Sequence, residues 1–420
     1  MSVVSVADVE NANGVLVVGA RDILTPLAAD RAKELNVRIE RSNNPAKEVT
    51  SPVVSPSRPT IQLSAKAEPA AKPTANAGAV QPGALSGALY RRGAPVPAAM
   101  RVRGDAASAS RDDRPRAAVI GAGHVGAMTA LRLAETSLFS RVMVVDIVPG
   151  LAAGLALDMW HSASLRGFTT RIEGSTDLSA LEGASYIVMT AGRPRQPGMS
   201  RTDLTGVNAE IVGNVADGIR RYAPASVVVV VTNPLEEMTH LMAKRTGFPS
   251  ARVIGMAGVL DSARFCSLVA LEGIARPQDV DAIALGSHGA EMVIPLSLAK
   301  VQGRPLEQLI PKDRLAAIVE RARDSGAEVV KLLQKGSAYF SPAESAASMV
   351  AAMVKGGSDL IAACVQSAGA YGVDDTRIGL PVRLGTDGVK EIVDLPLRPD
   401  ERTALAAAAG SIAKRISELG

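Results

Sequence analysis

Aromatic side chains are scarce in this 420-residue chain, with one tryptophan, five tyrosines and five phenylalanines, 3% in all. A protein that grips single strands of nucleic acid needs aromatic platforms for the bases, so that function has little to stand on. Cysteine is rarer still. Cys266 and Cys364 are the only two, too few for a disulfide framework, and no Cys/His spacing matches a zinc site. Such cysteine usage fits a reducing, cytoplasmic setting. Apolar runs are short: residues 227–231 reach Thr232 after five positions, where a bilayer needs roughly 20, so no membrane span is expected. The first residues do not form a secretory signal, because Asp8 and Glu10 interrupt them and no apolar stretch follows. What is present is ordinary for a chain with a sizeable core, 47% hydrophobic and 21% charged residues.

The net charge of +4 and the pI of about 9.1 look mildly basic. Their position decides what they mean. Residues 1–115 carry 15 Lys/Arg against 11 Asp/Glu, whereas residues 116–420 carry 31 of each. Within the front part, residues 51–104 hold seven basic residues against the single Glu68, and 30 of these 54 positions are Ala, Pro, Gly or Ser. That composition buries too little to offset chain entropy and reads as a flexible linker over 51–115. A basic excess spread so thinly is solvation, not a nucleic-acid footprint. Residues 85–111 are rich in Ala, Arg and Ser, as transit peptides are, but an acidic, patterned segment precedes them.

That segment, residues 1–50, reads as a small docking or targeting element. Val15 to Val18 form a strand, and Thr25 caps a helix that carries Pro26 at its first position and runs to about Asn36. Leu27, Ala28, Ala32 and Leu35 share one face of it. Val37 and Ile39 begin a second strand. The element is too small for an independent core.

From residue 116 onward, short apolar strands alternate with helical patterns, the signature of a parallel sheet with helices on its faces. Strands are expected at 117–120, 142–145, 186–189 and 227–231, and helices at 124–136, 150–164 and 204–222. Gly121-Ala122-Gly123-His124-Val125-Gly126 follows the first strand and opens a helix. Its first glycine permits the tight turn, the second lets a pyrophosphate approach the backbone, and the third lets helix and strand pack closely. Asp146 closes the next strand 20 residues past Gly126, where a carboxylate can hold a ribose diol. It would repel a 2′-phosphate, so NAD is favoured over NADP. His124, inside the motif, reads as a space-filling side chain beside the cofactor.

Four further segments continue the pattern. Residues 190–201, Thr-Ala-Gly-Arg-Pro-Arg-Gln-Pro-Gly-Met-Ser-Arg, form a punctuated loop with three arginines. Val231-Thr232-Asn233-Pro234 ends a strand, and residues 255–265, Gly-Met-Ala-Gly-Val-Leu-Asp-Ser-Ala-Arg-Phe, enter a helix. Gly286-Ser287-His288-Gly289 follows an apolar strand. In this order the motifs resemble the lactate/malate dehydrogenase superfamily, and most closely its malate dehydrogenases, over about 116–418. The resemblance implies a Rossmann-type doubly wound sheet over 116–260, an α+β catalytic domain over 261–420, and a homo-oligomer, a tetramer or dimer. It implies His288 as the general acid/base and Asp261 as the carboxylate that orients it. Arg264 would take the substrate C1 carboxylate and Arg201 would polarise the C2 carbonyl. Arg195 stands where malate enzymes place an arginine for the second carboxylate and lactate enzymes typically place glutamine. Asn233 would touch substrate and nicotinamide, with Asn208 and Val231 also on the cofactor side. Loop 192–201 would close over the site.

Other candidates read as structural: Arg193 as a solvated cation, the helix around Asp158 and His161 as core and subunit interface, and His240 as packing or surface. One departure stands out. The family usually reads Gly-Gly-His-Gly-Asp around the histidine, and this chain has Ala290 in place of the acid, which would weaken local hydrogen bonding. At the front, a helix tied to an enzyme by a Pro/Ala-rich linker looks like the encapsulation peptides of bacterial microcompartment cargo, with residues 20–40 meeting a shell or cargo partner.

Overall fold

In a computed structural model, the described residues are 3–4, 6–12, 14–19, 22–24, 26–42, 112–194, 201–334 and 336–419. Most of the linker expected over 51–115 therefore lies outside them. The chain divides into two compact units, Met1–Ala98 and Ala99–Gly420.

The front unit is a miniature β–α–β arrangement. Strand Val15–Gly19 pairs in parallel with Arg38–Ser42, and helix Pro26–Glu34 joins them. A second parallel contact pairs Val3–Val4 with Ile23–Leu24. Val9 and Ala32 form its small core, with Leu16, Val37 and Ile39 packed around them, and Val4 and Val18 are buried as well. Leu35, expected on the apolar face with Ala32, is instead 44% exposed, because the helix ends at Glu34 and the chain turns there. The side chains of Leu27 and Ala28 lie outside the described residues.

The large unit is built on six parallel strands: β1 Arg116–Ile120, β2 Arg141–Val145, β3 Arg171–Ser175, β4 Tyr186–Met189, β5 Val227–Val230 and β6 Val253–Gly255. Their spatial order is β3-β2-β1-β4-β5-β6, the doubly wound order that opens a crevice beyond the strands' carboxyl ends. The valine-rich runs follow from burial on both faces. Ala117, Val119, Val227 and Val229 point into one core layer, and Ala118, Ile120, Val228 and Val230 point into the other. Helices α1 His124–Glu135, α2 Leu151–His161, α3 Arg201–Tyr222 and α4 Leu235–Thr246 connect these strands.

The sheet continues without a break into the second half of the unit. β9 Ile361–Gln366 pairs antiparallel with β6, Gly255 opposite Cys364. Then come β10 Arg377–Gly385, β7 Leu285–Gly286 and β8 Met292–Val293, with β11 Gly388–Ile392 also pairing with β10. The buried Arg377 reinforces the join by donating to the Val253 carbonyl at 2.7 Å. Helices α5 Gly258–Ala270, α6 Lys312–Leu333, α7 Phe340–Lys355 and α8 Pro399–Ser417 complete the unit. α5 and α6 enclose a third core layer around Phe265, Met292, Leu315 and Ile318.

Candidate active site

The first strand ends in a glycine turn shaped for close approach. Gly121 has φ of +99°, and a Cβ there would lie 2.6 Å from the Ala191 backbone nitrogen. At Gly126 a Cβ would meet the Gly121 carbonyl at 1.8 Å, so α1 can pack on β1 only without one. Above Gly123 there is nothing within 4 Å. Gly123 also begins α1 with no side-chain cap, which leaves first-turn N–H groups aimed at that open side, a ready place for phosphate. Asp146, at the end of β2, lies across this turn: its carboxylate accepts from Ala122 N–H at 2.6 Å and Val148 N–H at 2.9 Å. These features fit a dinucleotide. Val125 packs partly into the core, and the His124 ring lies 5.0 Å from that of Tyr339, tilted by 36°.

The neighbouring strand ends are bound into one rim. Thr232 Oγ1 donates to the Ala191 carbonyl at 2.8 Å. Asn208, 1% exposed on α3, was expected beside the cofactor, but its amide is spent on backbone. Its Oδ1 accepts from Arg193 N–H at 2.7 Å, and its Nδ2 donates to the Asn233 carbonyl at 2.7 Å and the Arg193 carbonyl at 3.2 Å. Asn208 thus fixes the loop root and the end of β5. Val231 is buried, whereas the Asn233 side chain is exposed at the rim.

The chemical centre lies where α5 meets the turn after β7. Gly258 allows this approach, since a Cβ there would stand 2.2 Å from the Ala284 carbonyl. Ser262 secures it, donating to the Gly258 carbonyl at 2.6 Å and accepting from Ala284 N–H at 2.8 Å. Asp261 and Arg264 share a helix face, three residues apart. One Asp261 oxygen is 2.8 Å from His288 Nδ1 and the other is 3.4 Å from Arg264 Nη1. A carboxylate only accepts, so Nδ1 carries the proton and Nε2 is the nitrogen left for exchange. Burial pulls the imidazole pKa down, but the Asp261 charge and hydrogen bond outweigh it and hold the pKa above the ordinary histidine value of 6.5. Replacing Asp261 with Asn removes those contributions, so the alkaline limb of any reaction that needs protonated His288 should move to lower pH. A pH–rate profile with an unmoved limb would sink this assignment.

Arg195 lies outside the described residues, as does most of its loop, and Arg201 begins α3 with its side chain outside them too. Arg193 is exposed, as are Asp158 and His161 on α2, so the latter two are not core residues. His240 is half-buried, and burial together with Arg377 and Lys244 lowers its pKa. Both thiols are held protonated. Burial pushes Cys266 up to about 11 and raises Cys364 as well, so neither is a nucleophile at neutral pH.

Three contributors escape a reading of the sequence. Glu236, almost fully buried in the first turn of α4, accepts from the His288 backbone N–H at 2.6 Å, and burial raises its carboxyl pKa. In sequence it looks like an ordinary acid complementing a helix start. Tyr339 reaches the glycine turn through His124. Arg415, near the end of α8, donates to Ser287 Oγ at 3.2 Å and to Glu291 Oε2 at 2.9 Å. The loop around Ala290 is therefore well bonded, contrary to expectation, because Glu291 supplies a carboxylate one residue later. Among the described residues, no cluster of three or more His, Cys, Asp or Glu could hold a metal, and no helix is long and apolar enough to cross a membrane.

A glycine turn at the head of a doubly wound sheet, with a carboxylate-oriented histidine beyond the strand ends, defines a nicotinamide-dependent dehydrogenase. Residues 115–255 match the lactate/malate dehydrogenase NAD-binding domain and residues 258–419 the lactate/malate dehydrogenase α/β C-terminal domain. The chain belongs to the lactate/malate dehydrogenase family. It is 44% identical over 294 residues to a malate dehydrogenase of Chloroherpeton thalassium, covering 70% of this chain and 95% of the relative. To a malate dehydrogenase of Thermomicrobium roseum it is 45% identical over 306 residues, 73% and 98% of the two chains. The solved malate dehydrogenase of Salinibacter ruber superposes with a TM-score of 0.69 at 39% identity, covering 72% of this chain and 97% of that one. A lactate dehydrogenase of Cryptosporidium parvum, solved with lactic acid and NAD, gives 0.70 at 34%, covering 73% and 98%.

Proposed function

We propose that the chain is an NAD-dependent malate dehydrogenase interconverting malate and oxaloacetate. The observation that carries this reading is the Asp261–His288 pair with Arg264 on the same helix face. Bound NAD supplies a hydride acceptor in one direction, and NADH a donor in the other. Gly121, Gly123, Gly126 and the start of α1 hold the pyrophosphate, and Asp146 the adenosine ribose. His288 takes the hydroxyl proton at Nε2 during oxidation and returns it during reduction, while Asp261 stabilises the imidazolium. Arg264 binds the C1 carboxylate, Arg201 polarises the C2 oxygen, and Arg195 meets the second carboxylate. Asn233, exposed at the rim, contacts substrate and nicotinamide. A steady-state assay with NADH and a panel of 2-keto acids tests the reading: oxaloacetate should give the highest kcat/KM. A higher value for pyruvate would make this a lactate-type enzyme.

Two finer readings accompany it. Leu157 and Trp160, three residues apart on one face of α2, are both exposed, apolar surface of the kind that marks a protein interface. It supports a homo-oligomer, a dimer or tetramer, and Leu157→Arg should then lower the sedimenting mass. An unchanged monomer in both proteins would dispose of it. At the front, the helix over Pro26–Glu34 buries Ala32 within its own unit, so its inner face is taken. Val15 and Val17 stay 47% and 56% exposed on their strand, and they are the better candidates for contact with a microcompartment shell or cargo protein. Diffuse fluorescence from a fusion of residues 1–60, in a host that forms compartments, would refute that contact.

A further inference from the structure

We infer that Arg415 is a positioning residue for the catalytic histidine, an assignment that rests on the dehydrogenase reading above. Its guanidinium reaches three partners on two elements. Nε donates to Glu237 Oε1 at 3.0 Å, on α4. Nη1 donates to Glu291 Oε2 at 2.9 Å and Nη2 to Ser287 Oγ at 3.2 Å. Ser287 precedes His288 directly and Glu291 follows it by three positions, so one side chain grips the catalytic loop on both flanks. A planar guanidinium can do this because its N–H groups diverge in fixed directions; a lysine ammonium would reach one or two of the partners.

The anchor is firm at its far end. Arg415 and Glu237 side chains are only 17% and 3% exposed, while Glu291 sits nearer solvent at 40%. Glu237 is adjacent to Glu236, which accepts the His288 backbone N–H. α4 therefore holds the histidine twice, directly through Glu236 and indirectly through Glu237 and Arg415. Asp261 on α5 holds the ring from another direction. Three restraints from three helices define the imidazole's place, and the one from α8 spans the stretch where Ala290 offers no side-chain acceptor. Arg415 touches neither substrate nor reacting atoms in this arrangement; it acts through the loop.

The test compares Arg415→Met, Arg415→Lys and Glu291→Gln in the full chain, with His288→Asn alongside. Misplacing a general acid/base by about 1 Å can cost on the order of 100-fold. Arg415→Met should lower kcat roughly 10- to 100-fold per folded molecule, with little change in KM for NADH. The deuterium isotope effect on kcat with 4-deuterated NADH should rise, because proton-coupled hydride transfer becomes the slow step. Arg415→Lys should restore part of the rate. Glu291→Gln lies at the exposed rim, spares the buried Glu237 pair, and should lose rate in the same direction by less. If Arg415→Met and Glu291→Gln both keep wild-type kcat and isotope effect once corrected for folded fraction, Arg415 serves only stability and the inference is wrong. An active His288→Asn protein would instead overturn the assignment of the base, and the inference with it.

Discussion

Replacing His288 with asparagine should lower kcat for oxaloacetate reduction about 10²- to 10⁴-fold, the usual worth of a positioned general acid/base, and leave NADH affinity nearly unchanged. The separation of the two effects follows from the architecture. The glycine turn that would hold the dinucleotide is built from β1, α1 and Asp146, whereas His288 is positioned by α4, α5 and α8. Neither set of hydrogen bonds passes through the other. In the wild-type protein the Asp261 charge and hydrogen bond outweigh burial and hold the His288 pKa above the ordinary histidine value, which favours the protonated ring. Reduction should therefore decline only as pH rises through that raised value, and oxidation, which needs the neutral ring, should increase over the same range. The asparagine variant should lose this pH dependence along with its rate. Stopped-flow NADH oxidation across pH, with NADH binding followed by fluorescence titration, measures both. Wild-type turnover in the variant would refute the assigned base.

The parallel half of the fold was legible because its strands are buried on both faces and so read as continuous apolar runs. β3 escaped notice for the opposite reason. It is an edge strand, Arg-Ile-Glu-Gly-Ser, whose Arg171 and Glu173 pair with each other and whose Glu173 also meets Arg141. Such polarity is how sheet edges avoid further pairing. The antiparallel extension hid behind Pro381 and the glycines of β10, which read as turns when taken alone. At the site, Asp261, Arg264 and His288 were legible through the order of the motifs and the family resemblance it carries. Glu236 and Arg415 were not. The Arg415–Glu237 bond joins residues 178 apart, and no local pattern reports a contact of that range. Asn208 adds a further case: the motif order pointed to its region, and only the packing reveals that its amide bonds to the Arg193 and Asn233 backbone. The front helix was found within two residues of its ends, yet of its expected apolar face Ala32 is buried inside a β–α–β unit while Leu35 is exposed.

Arg195→Gln should change which acid the enzyme prefers. The second carboxylate of oxaloacetate would lose the guanidinium partner proposed for it, and breaking one side of a buried hydrogen-bonded charge pair costs about 2–5 kcal/mol. At roughly 1.4 kcal/mol per decade, kcat/KM for oxaloacetate should fall by about 30-fold or more. Pyruvate has a methyl group in that place. For it a guanidinium in the proposed role would have no carboxylate to bind, and the neutral amide removes the unpaired charge, so kcat/KM for pyruvate should rise. The two changes multiply in the specificity ratio. Arg264→Lys provides the contrast, because the C1 carboxylate is common to both substrates: loss of its two-pronged contact should weaken both acids by similar factors and leave the ratio near its original value. Measuring kcat/KM for both acids in the three proteins separates the roles. A ratio unmoved by Arg195→Gln would remove Arg195 from substrate selection and leave the choice of acid to the pocket around Arg264.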